Sequence, residues 1–447
     1  MNSVSISDAL KFYRANPAMT LVNILDTSAN ISKNFDALNL LVLAGKVNQI
    51  NQLAPLTPLL ITYKQLSDDG LTLSKILNPY TLNVTDVLVN QVKTVISNTH
   101  VTKIAVSDFS SSILGNLSSL QALGTKLSTI TFYDPAPVMT VPAATYLANQ
   151  STLNKIISPY SVIVSGLATN SITKVLTDTH VGSVTVVDSS SNIAANLSSL
   201  QALGSKLESI SISPGTSTSI ALTQNQYLSN LGILNTIKGT YSLVVSGVTS
   251  SNLNTILGDN RIGTFTFNDA SANIASVLDT LQNNIAKVVS ITQSGLVTPL
   301  NISNSQLIKD AAILAKISNP YTLTVSEVGI TNLTTVFSNL HVKTISILDS
   351  SENIAKNIET LQALGLKLIS VALSGTISPM ALTYTQFISN AITINKISGS
   401  YLLAISKVTV KNTFILASNQ HVTYINVEDS SGNIATNLKA LNDLGAV

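Results

Sequence analysis

An aspartate returns along this chain at Asp26, Asp108, Asp188, Asp269, Asp349 and Asp429, at separations of 82, 80, 81, 80 and 80 residues. A tyrosine keeps the same interval at Tyr80, Tyr160, Tyr241, Tyr321 and Tyr401, and an isoleucine at Ile31, Ile113, Ile193, Ile274, Ile354 and Ile434. Self-similarity at one long period marks a repeat architecture, so the 447 residues are read as an array before they are read as domains.

Each period divides into three similar pieces of about 27 residues. The first opens with the β-branched strand "VGSVTVVD" (181–188). A helical stretch follows in which Ile193, Leu197, Leu200 and Leu203 recur at spacings of three and four. Gly204 stops that helix, with Lys206 near its negative end. The second piece holds the strand "LESISIS" (207–213), a polar loop and the helical "LTQNQYLSNLGILNTI" (222–237). The third holds the strand "YSLVVSG" (241–247) and the shorter helix "TSSNLNTIL" (249–257). Roughly sixteen strands are expected in all.

Short strands alternating with helices imply right-handed parallel crossovers. A doubly wound open sheet would not repeat its sequence so regularly, and a closed barrel of eight strands would stop at eight units. The expected fold is therefore α/β: a right-handed βα solenoid shaped like a leucine-rich-repeat array, with one long parallel sheet, a helix layer behind it and about three βα units per repeat. Residues 1–19 are expected to form a helical cap, because "ISDALKFYRANP" (6–17) carries Asp8, Lys11 and Arg14 in a chain otherwise poor in charge. Residues 20–447 form the array, about five repeats bounded near 26, 108, 188, 269, 349 and 429, with the last incomplete. "NIATNLKALNDLGAV" (433–447) stops inside a first-piece helix, so the array is expected to continue in a longer protein or to stack on another subunit.

Composition narrows the function. Charged residues make up only 10% of the chain against about 25% in ordinary globular proteins, so Ser, Thr, Asn and Gln must supply the wetted surface. The net charge is +2 without a Lys/Arg run, which leaves no nucleic-acid footprint. The absence of Cys rules out disulfides, thiolate metal sites and Cys nucleophiles. No apolar run reaches the length of a transmembrane helix. The start, "MNSVSISDALKFYRANPAM", has no basic region ahead of an apolar core and is not a cleavable secretory signal.

The recurring polar residues are the candidates for chemistry. His100, His180, His341 and His421 share one register, and Arg261 fills it in the remaining copy. Arg is neither an ordinary metal ligand nor a general base, so this row reads as a polar residue in the helix-to-strand turn. The ladder Asp108, Asp188, Asp269, Asp349 and Asp429 offers calcium candidates, since hard cations want carboxylate oxygens. Equivalent Asp residues lie three strands apart, however, and no calcium motif supports the idea; "DSSxNI" suits a helix N-terminus better. The tyrosine row is expected at the core edge with satisfied hydroxyls, and Lys75, Lys155, Lys316 and Lys396 are expected to end helices and extend into solvent. Glu208, Glu327, Glu352, Glu359 and Glu428 form no pair except Glu428 beside Asp429. With no paired carboxylates, nucleophile elbow, phosphate loop or HExxH, no catalytic residue, cofactor site or enzyme activity is expected.

The phrases "D-S-S-x-N-I-A-x-N-L…L-Q-A-L-G-x-K-L", "L-T-x-x-Q-Y", "Y-x-L-x-V-S-G-V" and "H-V" resemble repeats of very large bacterial surface proteins, over nearly all of the chain from about residue 20. Such proteins are often type I secretion cargo with calcium-binding glycine-rich repeats elsewhere, which this sequence lacks. The resemblance implies an extracellular or cell-surface structural protein of S-layer or filament type. Self-association or attachment to surface polysaccharide would be its work. An adhesin that binds glycans or a host protein through the array's face is the second expectation, and a carbohydrate-active solenoid enzyme the third.

Overall fold

The computed structural model describes residues 3–445, so Met1 and Asn2 of the expected cap and Ala446 and Val447 of the array lie outside the described residues. The chain is mixed α/β and forms two compact units, Met1–Thr218 with Asn230–Thr240, and Ser219–Ser229 with Tyr241–Val447.

The first unit contains three parallel sheets. Their strands, in ladder order, are Ser3–Val4, Val22–Thr27 and Val47–Leu53; then Leu59–Thr62, Leu82–Val87, Val101–Asp108 and Leu127–Phe132; then Val138–Pro142, Ser161–Leu167, Val181–Asp188, Leu207–Ile212 and Ile237–Lys238. The second unit repeats the scheme with Ser219–Thr223, Ser242–Val248, Ile262–Asp269 and Val288–Gln293; then Leu300–Ser303, Leu323–Val328, Val342–Asp349, Leu368–Leu373 and Ile397–Ser398; then Met380–Thr383, Leu403–Val408 and Val422–Val427. Every ladder runs in the order of the sequence, and none closes into a barrel.

Alternation explains the ladders. In Val181–Asp188 the residues Val181, Val184 and Val186 point inward, and Val184 faces Val164 on one side while Val186 faces Ile210 on the other. Val164, Val184 and Ile210 are all fully buried. The helix after the strand adds Ile193, also fully buried, and each such side chain contributes about 1.5–3 kcal/mol of transfer free energy.

Among the described residues there are six short sheets instead of one long one, and the reason lies in the loop of the second piece. Leu127–Phe132 ends a ladder with only the bridge from Ile130 to Ile156 beyond it, and Val138–Pro142 opens the next by pairing with Ser161–Leu167. Pro135 and Pro137 sit between them, and Pro cannot donate to a ladder. The loops of the other repeats also carry prolines: Pro55 and Pro58, Pro214, Pro299 and Pro379. The second strand of this piece, such as Ser219–Thr223, is absent from the three-piece reading. It buries only Ile220 and Leu222, too few positions for a period of two to stand out beside a helical stripe.

The helical stripe is also broken. Ser190–Ala195 and Leu197–Ala202 are separate helices, because Asn196 adopts φ −116 and ψ 24. Its Nδ2 donates to the Asn192 carbonyl at 2.9 Å, a side-chain substitute within the turn where the helix bends. Asn34, Asn116, Asn357 and Asn437 make the same bond in their repeats. Gly204 takes φ +52 where the second helix stops, as a left-handed terminator should.

Each third strand carries a bulge. Val164 pairs with Val184 and Leu167 with Val186, so one extra residue is accommodated, and Gly166 takes it up at φ +70. Gly247 does the same at φ +72, but Asp86, Glu327 and Lys407 occupy this left-handed position at φ 56.

Candidate functional site

The repeated aspartate lies at the end of the first strand, where the chain turns into a helix. The side chain that caps that helix belongs to the next residue: Ser189 Oγ accepts from the Asn192 backbone N–H, as Thr27, Ser350 and Ser430 do in their copies. Asp188 instead ties two turns together. Its Oδ1 accepts from the Ser189 backbone N–H at 2.8 Å and from Asn192 Nδ2 at 2.7 Å. Its Oδ2 accepts from the Thr169 backbone N–H at 2.9 Å and the Thr169 hydroxyl at 2.8 Å.

The clamp recurs in all six copies. Backbone N–H groups of Ile6, Val89, Thr169, Ser250, Ile330 and Val410 donate to Oδ2 of Asp26, Asp108, Asp188, Asp269, Asp349 and Asp429 over 2.8–3.0 Å. Burial alone would raise the carboxyl of Asp188, but the bonds from Asn192, Thr169 and Ser189 outweigh it and hold it below the usual range. Asp269 and Asp349 are depressed in the same way. The groups around each carboxylate are N–H and O–H donors rather than the six to eight oxygens calcium requires, so this donor set does not fit the ion. Among the described residues no three His, Asp or Glu side chains gather as a metal group.

The histidine and tyrosine rows meet. Tyr80 stacks on His100, Tyr160 on His180, Tyr321 on His341 and Tyr401 on His421, with centroids 3.7–4.2 Å apart and planes within 7° of parallel. In three of these pairs the His Nδ1 lies 3.0–3.1 Å from the backbone carbonyl of its stacked tyrosine, so Nδ1 carries the proton. Arg261 replaces the imidazole with another planar nitrogen group: its guanidinium carbon lies 5.8 Å from the Tyr241 ring centroid, and Nη1 donates to the Tyr241 hydroxyl at 2.7 Å. A tyrosine platform under a planar nitrogen group is thus what the two registers share.

Three lysines turn back instead of reaching into solvent. Lys155 Nζ donates to the carbonyls of Gly124 and Leu127, Lys316 Nζ to those of Ile285 and Val288, and Lys396 Nζ to those of Gly365 and Leu368. These carbonyls belong to a neighbouring helix-to-strand turn and have spare acceptor capacity, which a flexible ammonium fills.

Two places depart from the pattern. In most copies the residue two before the histidine is Asn, as in Asn98, Asn339 and Asn419, whose Oδ1 accepts the His backbone N–H. In the second repeat this residue is Asp178, and there the buried Tyr146 hydroxyl donates to Oδ2 while Oδ1 accepts from the His180 backbone and faces Nδ1 at 3.1 Å. The third repeat has Tyr227 donating to Asp259 at 2.9 Å. Residues equivalent to Tyr146 and Tyr227 elsewhere are Leu66, Leu307 and Phe387, so tyrosine appears only where Asn has become Asp. Burial followed by the bond to Asp178 raises the Tyr146 phenol, and burial followed by the nearby Asp178 charge pushes Tyr160 up to about 12. Burial works to raise Asp178, yet the bonds from Tyr146 and His180 leave it lowered.

The two centres differ in access. Arg261 Nη2 and Nε grip Asp259 at 2.7–3.2 Å, and its carboxyl falls to about 2, chiefly through those bonds. The second repeat has no such lid, and a cavity of about 450 Å³ opens there between Tyr146, Gln150, Asn154, Lys174, Asp178 and His180. This cluster escaped the sequence reading because each residue was weighed along its own register. The signal that could have found it is the paired change of Leu or Phe to Tyr and Asn to Asp, 32 residues apart.

No protein-family model, curated protein or solved structure matches this chain.

Proposed function

We propose that the chain is a non-enzymatic structural repeat array of a bacterial cell surface, wound as a right-handed βα solenoid that self-associates or anchors to surface polysaccharide. The observation that carries this reading is the spending of the repeat's polar residues on joints. Asp188 and its five equivalents join turns 19 or 20 residues apart. The Tyr and His rows stack on each other, and three lysines close carbonyl ends. Groups saturated in this way are unsuited to turning over a substrate and suited to making identical units stack.

The ascending order and parallel sense of every ladder support the solenoid, although Leu207–Ile212 pairs with Ile237–Lys238 and Leu368–Leu373 with Ile397–Ser398 past a strand that opens the next ladder. Self-association is supported by apolar side chains left in water: Leu340 is 97% and Leu366 96% exposed.

Electron microscopy of the purified chain, with and without calcium, tests the reading. Filaments or lattices are expected. Monomeric particles at every concentration and calcium level would overturn the assembly proposal, and a compact particle in small-angle scattering would overturn the solenoid.

A further inference from the structure

The second repeat carries a cavity that the scaffold does not need. Gln150 stands where the other repeats have Gly70, Leu231, Ala311 and Ala391, and Lys174 stands where they have Thr94, Thr255, Thr335 and Ile415. Tyr146 and Asp178 replace an apolar residue and an amide in three of the four other copies. All four changes line one cavity, together with Asn154 and His180. Departures from a local rule that converge on one concave place mark a site grafted on a framework, because a framework residue has no reason to depart.

The chemistry of the lining selects a ligand. Asp178 already accepts from the Tyr146 hydroxyl, the His180 backbone and the proton on His180 Nδ1, which leaves about one acceptor direction free. One direction suits a hydroxyl; an ammonium would demand more. In the neutral imidazole the proton on Nδ1 faces Asp178, which leaves His180 Nε2 as an acceptor for a hydroxyl. Gln150, whose Nε2 also donates to the Lys174 carbonyl at 3.5 Å, and Asn154 supply amides that both donate and accept. Lys174 is an exposed cation that lines the same cavity. Several hydroxyls beside one negative group describe a sugar acid.

We propose that this cavity is a binding site for a pyranose carrying a carboxylate, a uronic acid, with the carboxylate on Lys174 and ring hydroxyls on Asp178, His180, Gln150 and Asn154. The inference stands apart from the scaffold reading: the site could exist whether or not the chain assembles. The third repeat is a natural control, since Arg261 occupies the same register and seals its own carboxylate.

The test is amide-resolved NMR titration of the full chain with sodium glucuronate, a uronate trisaccharide, glucose and sodium glutamate. Saturable shifts confined to residues around 146–180 are expected with glucuronate, with glucose and glutamate weaker by about tenfold or more. Tighter binding of the trisaccharide assigns the ligand to a polymer, and equal binding assigns it to the free sugar acid. Lys174→Thr and His180→Arg copy residues that other repeats already carry, so the fold is retained, and each is expected to weaken glucuronate by about tenfold or more. The double variant Tyr146→Leu with Asp178→Asn restores the ordinary repeat and serves as a second control. No saturable glucuronate binding, undiminished affinity in Lys174→Thr, or glutamate bound as tightly as glucuronate would each overturn the proposal.

Discussion

The imidazole of His180 lies flat on the ring of Tyr160, their centroids 4.2 Å apart and their planes 7° from parallel. The residues are 20 positions apart in sequence, and the contact ties the start of one strand to the start of its neighbour. Losing it should cost about 0.5–1.5 kcal/mol, the value of a stacked aromatic pair beyond its area. His180→Ala is therefore expected to speed hydrogen exchange in 161–188, whereas His180→Arg should cost less, because Arg261 already serves over Tyr241. Equal losses in the two variants would show that planarity is irrelevant.

Asp188→Ala removes the acceptor for two backbone N–H groups at once, those of Thr169 and Ser189. A buried donor left without a partner costs about 1–3 kcal/mol, so a local destabilisation of at least that size is expected. Urea unfolding followed by fluorescence of the neighbouring tyrosines measures it.

Acid should loosen the same joints. The carboxyls of Asp188, Asp269 and Asp349 sit below their ordinary value in the folded chain. A depressed folded pKa means that the stabilisation is complete above the unfolded value of about 4 and is lost as pH falls through the folded value. Melting temperature should hold near neutrality and drop below about pH 4. Replacing Asp188 by Asn should flatten that drop.

Asp310 presents the opposite case. It is fully buried, among the described residues neither of its oxygens makes a hydrogen bond of good geometry, and the Asp279 carboxylate lies beside it. Burial first, and the charge of Asp279 second, raise its carboxyl. Asn149, Asn230 and Asn390 occupy the same register, and the amides of Asn149 and Asn390 donate to carbonyls four residues back. Asp310→Asn should stabilise the chain by about 1–3 kcal/mol at neutral pH, the cost of an unsatisfied buried polar group. Because the raised pKa favours the protonated fold, the gain should disappear in acid; thermal melts at both pH values check it.

Glu327 holds φ 56 at the bulge where Gly166 and Gly247 stand in other repeats. A left-handed backbone costs an L-residue about 1–2 kcal/mol, partly offset by the greater freedom of glycine in the unfolded chain, about 0.4–1 kcal/mol. Glu327→Gly should raise the melting temperature slightly, and Gly166→Ala should lower it. A fall on Glu327→Gly would mean that its side chain makes a contact worth more than the strain.

Much of the design was legible in the sequence. The period fixes which residues are equivalent, and β-branched alternation fixes the first and third strands. Gly204 marks a helix stop because glycine takes the left-handed turn there without steric cost. The break at Asn196 was hidden because Ile193, Leu197 and Leu200 keep helical spacing across it. Ser219–Thr223 was hidden because it buries only two side chains, and the prolines that divide the ladders read simply as loop.

Sequence alone determined the repeat, the parallel βα order and the poverty of charge, since period and composition are read along the chain and the strand and helix signals depend on neighbours within a few residues. Tertiary structure alone decided what the polar rows do. Asp188 meets Thr169, His180 meets Tyr160 and Tyr146 meets Asp178 across 19, 20 and 32 residues. A hydrogen bond or a ring stack acts over a few ångströms, and only the lateral pairing of strands brings such residues within that range.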